Sequence, residues 1–172
     1  MNFNVLTIFP EIFDVFKSGV ISKARTNNNF SLNCLNIRDH AINKHGQIDA
    51  KPYGGGEGMV MMAEPLKKSL DDIPKEELGH VIYLSPQGSK LNQSKVIALS
   101  KMKSLTLICG RYEGVDQRFI DRYVDEEISI GDFILSGGEY AAICLIDSIV
   151  RNIPGTIGNK ESVTNDTFSN GL

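Results

Sequence analysis

The chain has 172 residues, 41% of them hydrophobic and 23% charged, which is enough for one domain with its own core and too apolar for a disordered segment. A formal net charge of −3 argues against a non-specific nucleic-acid coat, which would be strongly basic, yet leaves room for a structured RNA gripped by a local basic patch. The opening MNFNVLTIFPEIF carries no basic leader, and no stretch approaches the roughly 18 apolar residues of a membrane span, so neither a signal peptide nor a membrane partner is expected.

Strand-like and helix-like runs alternate along the chain, the pattern of an α/β fold with a mostly parallel sheet flanked by helices. The first strand is expected over Phe3–Phe9. Pro10 and Glu11 then open a helix whose apolar face is Ile12, Val15 and Phe16. Phe30–Ile37 alternates as a strand. Residues 38–58 form a long polar loop ending in PYGGGEG, and loops of that length inside compact domains are usually functional or disordered. A short helix follows over Ala63–Asp71.

His80–Leu84 reads as a strand running into a turn at Ser85–Gly88, and Asn92 as the cap of a helix reaching about Lys103. Leu105–Cys109 is a strand that ends in Gly110-Arg111-Tyr112-Glu113-Gly114, followed by a helix with Val115, Phe119 and Tyr123 on one face. Glu127–Ile130 is a short strand entering Gly131–Gly138. Glu139–Asn152 is a strongly apolar helix that should be largely buried. From Ile153 the chain turns polar and glycine-rich, as a tail or linker does. The three cysteines, Cys34, Cys109 and Cys144, sit singly in apolar segments without a CxxC or His/Cys cluster. They are expected to be buried, reduced and structural, as in a cytoplasmic protein.

Three strands, ending near Leu84, Cys109 and Ile130, each run into a glycine-rich loop. Ligands of open α/β sheets bind beyond the carboxyl ends of strands, and glycine lets backbone approach a ligand closely. One such loop is usually just a tight turn; three in register point to a ligand. The common nucleotide motifs are missing. GGGEG follows a polar loop and precedes no GK[ST], and no GxGxxG follows the first strand. Arg151 and Asp166 are a candidate catalytic pair, each with a plainer alternative: Arg151 can pair with Asp147 one turn earlier, and Asp166 can be a solvated linker charge. Glu113 and Asp116 flank a helix start, where the dipole favours acids in any case.

The motifs YLSPQG (Tyr83–Gly88), CGRYEGVD (Cys109–Asp116), DEEISIGDFILSGGE (Asp125–Glu139), PYGGGEGM (Pro52–Met59) and DSIVRNIPG (Asp147–Gly155) resemble the bacterial tRNA (guanine-N1)-methyltransferase family (TrmD) of the SPOUT superfamily, and the likeness runs the length of the chain. The resemblance implies a knotted fold, with a C-terminal trefoil that pattern reasoning would never propose, knots being so rare. It implies a cytoplasmic homodimer with its active site at the interface and a tRNA substrate, methylated at N1 of the guanosine directly 3′ of the anticodon. S-adenosyl-L-methionine would be the donor and Mg2+ an assistant.

Carried onto this sequence, Tyr83, Leu84, Ser85 and Pro86 fall on a first cofactor loop, and Gly110, Tyr112, Glu113 and Gly114 on a second. Ile130, Gly131, Asp132, Phe133, Ile134, Leu135, Gly137 and Gly138 fall on a third. Arg151 matches the family's catalytic arginine, Asp166 the aspartate that acts as base, and Glu113 is the residue that would place magnesium or the guanine. Three positions depart from the family pattern: Phe133 stands where tyrosine is usual, Ala50 where an acid often stands, and Lys160 where an acid is common. Residues 1–155 are expected to form the knotted catalytic domain and residues 156–172 an interdomain linker. The family's helical tRNA-gripping domain would lie beyond Leu172, so the chain reads as a fragment that binds cofactor without efficient tRNA methylation.

Overall fold

The computed structural model describes residues 1–157 together with 167 and 168. Five strands form one sheet: β1 (Asn2–Thr7), β2 (Ser31–Asn36), β5 (His80–Lys90), β6 (Ser104–Cys109) and β7 (Glu126–Ser129). Their order is β2-β1-β6-β5-β7, and every neighbouring pair is parallel. Two short strands, β3 (Asp49–Ala50) and β4 (Val60–Met61), pair antiparallel outside it. Six α-helices are described: α1 (Gly19–Thr26), α2 (Ala63–Asp71), α3 (Lys75–Leu78), α4 (Gln93–Leu99), α5 (Gln117–Tyr123) and α6 (Glu139–Arg151). No helix among the described residues is long and apolar enough to cross a membrane.

The sheet is covered on both faces, so β1 is buried from Phe3 to Thr7 and β6 at every position. Alternation of side chains then divides the core in two. Phe3 and Val5 of β1, Ile82 and Leu84 of β5, and Leu105 and Leu107 of β6 pack with the inner faces of α1, α4 and α6. Leu6, Val81, Tyr83 and Ile108 point the other way, against Leu66 and Leu70 of α2 and Phe119 of α5.

Several elements differ from the sequence reading. The stretch after Pro10 is a 3-10 helix over Pro10–Lys17, broken before α1 begins at Gly19. With three residues per turn, positions i and i+3 align, so Phe13 and Phe16 are buried and Val15 faces solvent. Asn92 does cap α4, accepting from the Lys95 N–H at 2.9 Å, but the helix ends at Leu99 rather than Lys103. β5 does not stop at Leu84. It bulges through residues 85–88 and pairs with β7 again at Ser89 and Lys90. Among the cysteines, Cys109 is buried, Cys34 partly buried and Cys144 exposed, because Cys144 lies on the outer side of α6.

Candidate active site

The carboxyl ends of β5, β6 and β7 lie side by side at one edge of the sheet, and the loops that leave them close around a cleft of about 340 Å3. A volume of this size suits a small cofactor. Tyr83, Leu84, Ser85 and Pro86 contribute from the bulge in β5. Gly110, Tyr112, Glu113 and Gly114 contribute from the loop after β6, and Ile130, Gly131, Phe133, Ile134, Leu135, Gly137 and Gly138 from the loop after β7. All the cofactor-loop residues expected from the sequence therefore line one cavity, with the exception of Asp132. The Asp132 carboxylate turns outward to pair with Lys90, and its side chain stays exposed.

Each loop is held by contacts outside itself. Gly138 packs so tightly on the end of β6 that a methyl group there would come within 2.8 Å of the Cys109 Cα, and its N–H donates to the Gly110 carbonyl at 2.9 Å. The second loop is braced by the segment after GGGEG: the Glu113 N–H donates to the Met59 carbonyl, and the Met61 N–H to the Gly114 carbonyl, both at 2.9 Å. Gly58 sits directly against the Glu113 side chain. The long polar loop thus ends by docking onto the cleft wall, which no local pattern announced. Tyr112, at φ 60°, occupies the left-handed region, a strain of about 1–3 kcal/mol of the kind that collects at binding sites. Asp116 has the plainer role weighed for it, capping α5 by accepting from the Arg118 N–H at 3.0 Å.

The electrostatics favour a cation over a polyphosphate. Two carboxylates, Glu113 and Glu127, line the cleft. Its arginine, Arg111, is already committed, with Nε donating to the fully buried Glu139 at 2.9 Å. Burial pushes the Tyr83 hydroxyl above its ordinary range and the Glu127 charge adds to this, while a backbone hydrogen bond with Val115 opposes it. Tyr83 is therefore a neutral phenol at physiological pH. Sequence reasoning missed the Arg111–Glu139 pair. Glu139 reads as a helix-start acid, and nothing local shows that it is buried.

Of the two proposed catalytic residues, Arg151 does not line this cavity. α6 starts at the cleft with Glu139 and carries Arg151 away from it over 13 residues, about 18 Å of helix. Arg151 lines a different groove with Val15, Val20, Ile143, Cys144 and Asp147. Asp166 and Lys160 lie outside the described residues. Among the described residues no group of three His, Cys, Asp or Glu side chains gathers, and the carboxylates in the cleft are Glu113 and Glu127.

Comparison with known proteins identifies the family. The family described as tRNA (Guanine-1)-methyltransferase TrmD matches residues 1–172. A tRNA (guanine-N(1)-)-methyltransferase of Cupriavidus metallidurans is 48% identical over 179 residues, taking in 100% of this chain and 69% of that protein. One of Pseudoalteromonas translucida is 50% identical over 171 residues, 98% of this chain and 67% of that protein. The crystal structure of tRNA (m1G37) methyltransferase from Aquifex aeolicus superposes with a TM-score of 0.84 at 41% identity, covering 92% of this chain and 72% of that one.

Proposed function

The chain belongs to the tRNA (guanine-1)-methyltransferase family, and from that premise we propose that it transfers the methyl group of S-adenosylmethionine to N1 of the guanosine directly 3′ of the tRNA anticodon, in the cytoplasm. The observation that carries this reading is the convergence of three strand-end loops on one cleft that holds two carboxylates and, among the described residues, one arginine, itself paired with Glu139. The described residues fit the cofactor: Leu84, Ile130 and Leu135 offer apolar walls, glycine-rich backbone offers polar groups for an adenine edge, and Glu113 and Glu127 suit a positive ligand. When bound, the cofactor supplies a methyl group on a sulfonium sulfur.

The remaining chemistry belongs to the chain and the tRNA. Guanine N1 is a poor nucleophile while it carries its proton. Asp166 removes that proton as general base, a contribution of about 10²–10⁴-fold. Negative charge then accumulates on the guanine O6, where the Arg151 guanidinium, a permanent cation with a fixed donor fork, opposes it. The base leaves its stack to enter the cleft, and its alignment with the methyl supplies much of the remaining acceleration.

Arg151 lies about 18 Å along α6 from the cleft of its own chain. The reading therefore includes a homodimer in which a second copy brings its Arg151 to this cleft. The apolar groove beside Arg151, with Val15 and Val20 both about half exposed, supports such an interface. It also includes the trefoil threading. After β7, at the sheet edge, the chain crosses back past β5 to the end of β6, where Gly138 bonds Gly110, a crossing such a knot requires. In this reading residues 1–155 make up the cofactor-binding unit and residues 156–172 a linker.

Calorimetry with S-adenosylhomocysteine and with ATP tests the reading, alongside mass spectrometry of tRNA nucleosides after single turnover with excess protein. S-adenosylhomocysteine should bind, ATP should not, and 1-methylguanosine should form in the single turnover, slowly, as expected of a chain that methylates tRNA inefficiently. Preference for ATP, or methylation at another base atom, would overturn the reading.

A further inference from the structure

The carboxylate of Glu139 is fully buried, and both of its oxygens are engaged. Oε1 accepts from the Thr7 hydroxyl at 2.8 Å and Oε2 from Arg111 Nε at 2.9 Å. Buried ion pairs are poor stability devices, because desolvation consumes most of the Coulombic gain. What the arginine does with its remaining surface is therefore informative. Its Nη1 donates to the Ser136 carbonyl at 2.9 Å, and its guanidinium lies over the Phe9 ring at 4.7 Å. Its backbone N–H is directed at the Met61 sulfur at 3.2 Å. A methyl group on Gly137 would come within 2.2 Å of Arg111 Nε, so the arginine fills the space directly beneath the third loop. That loop has little burial of its own to shape it, since Phe133, Ile134 and Leu135 are 53%, 81% and 38% exposed.

We infer that Arg111 and Glu139 form a positioning pair: Glu139 orients the guanidinium, the guanidinium carries the 136–137 backbone, and the loop shape so set determines how tightly the cleft holds its adenosyl ligand. The inference rests on reading the cleft as an S-adenosylmethionine site. Neither residue transfers a proton or touches the reacting atoms. The pair joins three segments that meet at the cleft mouth: the end of β1 through Thr7 and Phe9, the loop after β6 through Arg111 itself, and the entry to α6 through Ser136 and Glu139. Because Arg111 hangs from the second loop and supports the third, movement of one is transmitted to the other.

The test is calorimetric titration of the 172-residue chain with S-adenosylhomocysteine, with thermal unfolding followed in parallel. Glu139→Gln keeps the size and an oxygen for Thr7 but removes the charge. Arg111→Lys keeps the charge but cannot serve Glu139 and the Ser136 carbonyl together. Each should weaken binding tenfold or more while the chain remains folded at the assay temperature. The double variant should bind no more than about twofold weaker than the weaker single one, as residues acting as a unit do. Asn4→Ala, which loses hydrogen bonds to the Glu77 carbonyl and Thr106 away from the cleft, should lower the unfolding temperature and leave affinity within twofold. A general loss of stability would not separate these variants in this way. Should Glu139→Gln fail to fold, Arg111→Lys, at a partly exposed position, decides alone. Wild-type affinity in Arg111→Lys, or additive losses in the double variant, would overturn the inference while leaving the cleft assignment intact. Failure of the unsubstituted chain to bind would overturn that assignment and the inference with it.

Discussion

Thr7 and Glu139 are 132 positions apart in the chain, and a 2.8 Å hydrogen bond joins the end of the first strand to the start of the last helix, with both side chains fully buried. The Thr7 oxygen also accepts from the Phe9 N–H at 3.0 Å, so one hydroxyl fixes the strand exit and helps satisfy a buried carboxylate. Replacing Thr7 with the isosteric valine leaves that carboxylate oxygen without its donor, at a cost of about 1–3 kcal/mol. Chemical denaturation of Thr7→Val should show the midpoint falling with an unchanged slope.

Gly138→Ala places a methyl group 2.8 Å from the Cys109 Cα, and the obstructing atom is backbone, not a mobile side chain end. The third loop must then lift from the end of β6. Affinity for S-adenosylhomocysteine should fall more than tenfold by calorimetry, an effect larger than the change in unfolding temperature suggests.

Arg151→Ala should leave cofactor affinity within twofold and abolish methyl transfer, because α6 carries Arg151 away from its own cleft. Mixing Arg151→Ala with Gly138→Ala protein should restore part of the activity, since a mixed dimer pairs one intact cleft with one intact arginine. No recovery after verified exchange of subunits would remove the shared site.

Cys144 should be the thiol that reacts first. It is exposed on α6, whereas burial pushes the Cys34 thiol up to about 11 and raises the Cys109 thiol well above its ordinary value. In dilute protein at pH 8, maleimide should label Cys144 rapidly and the other two only on unfolding. Labelling should slow as protein concentration rises, if the groove beside Arg151 is where two copies meet. Mass mapping of the labelled peptides decides both points.

Glu126 gives an acid-side signature. Burial raises its pKa, but hydrogen bonds from Lys95 at 2.6 Å and His80 at 3.4 Å outweigh this and hold the carboxyl below the ordinary glutamate value. A pKa depressed on folding contributes stability that is present above the unfolded value, about pH 4.3, and is lost as pH falls through the folded one. Glu126→Gln should therefore be less stable than the parent chain at pH 7, and the difference should shrink on acidification below about pH 4.3. Urea midpoints measured from pH 7 to pH 3 check the sign.

The alternation of apolar runs, the three glycine-rich strand exits and the motifs around Tyr83, Gly110 and Gly138 were enough, by themselves, to indicate a parallel α/β sheet, a ligand at its carboxyl edge and the family. These are local properties: side-chain period, backbone permissiveness and residue order are written in consecutive positions. Whether residues 85–88 make a turn or a bulge was not, because the answer depends on β7 being present to pair with Ser89 and Lys90. Nor was the burial of Glu139, which a helix-start position does not reveal, or the docking of Met59 and Met61 on the second loop. Arg151 and the cleft are separated for the same reason, since the direction of α6 is set by packing Leu145, Ile146 and Ile149 against the sheet. Contacts between residues far apart in the chain are decided by which apolar faces close together and which buried charges then find partners, and only the assembled fold determines that.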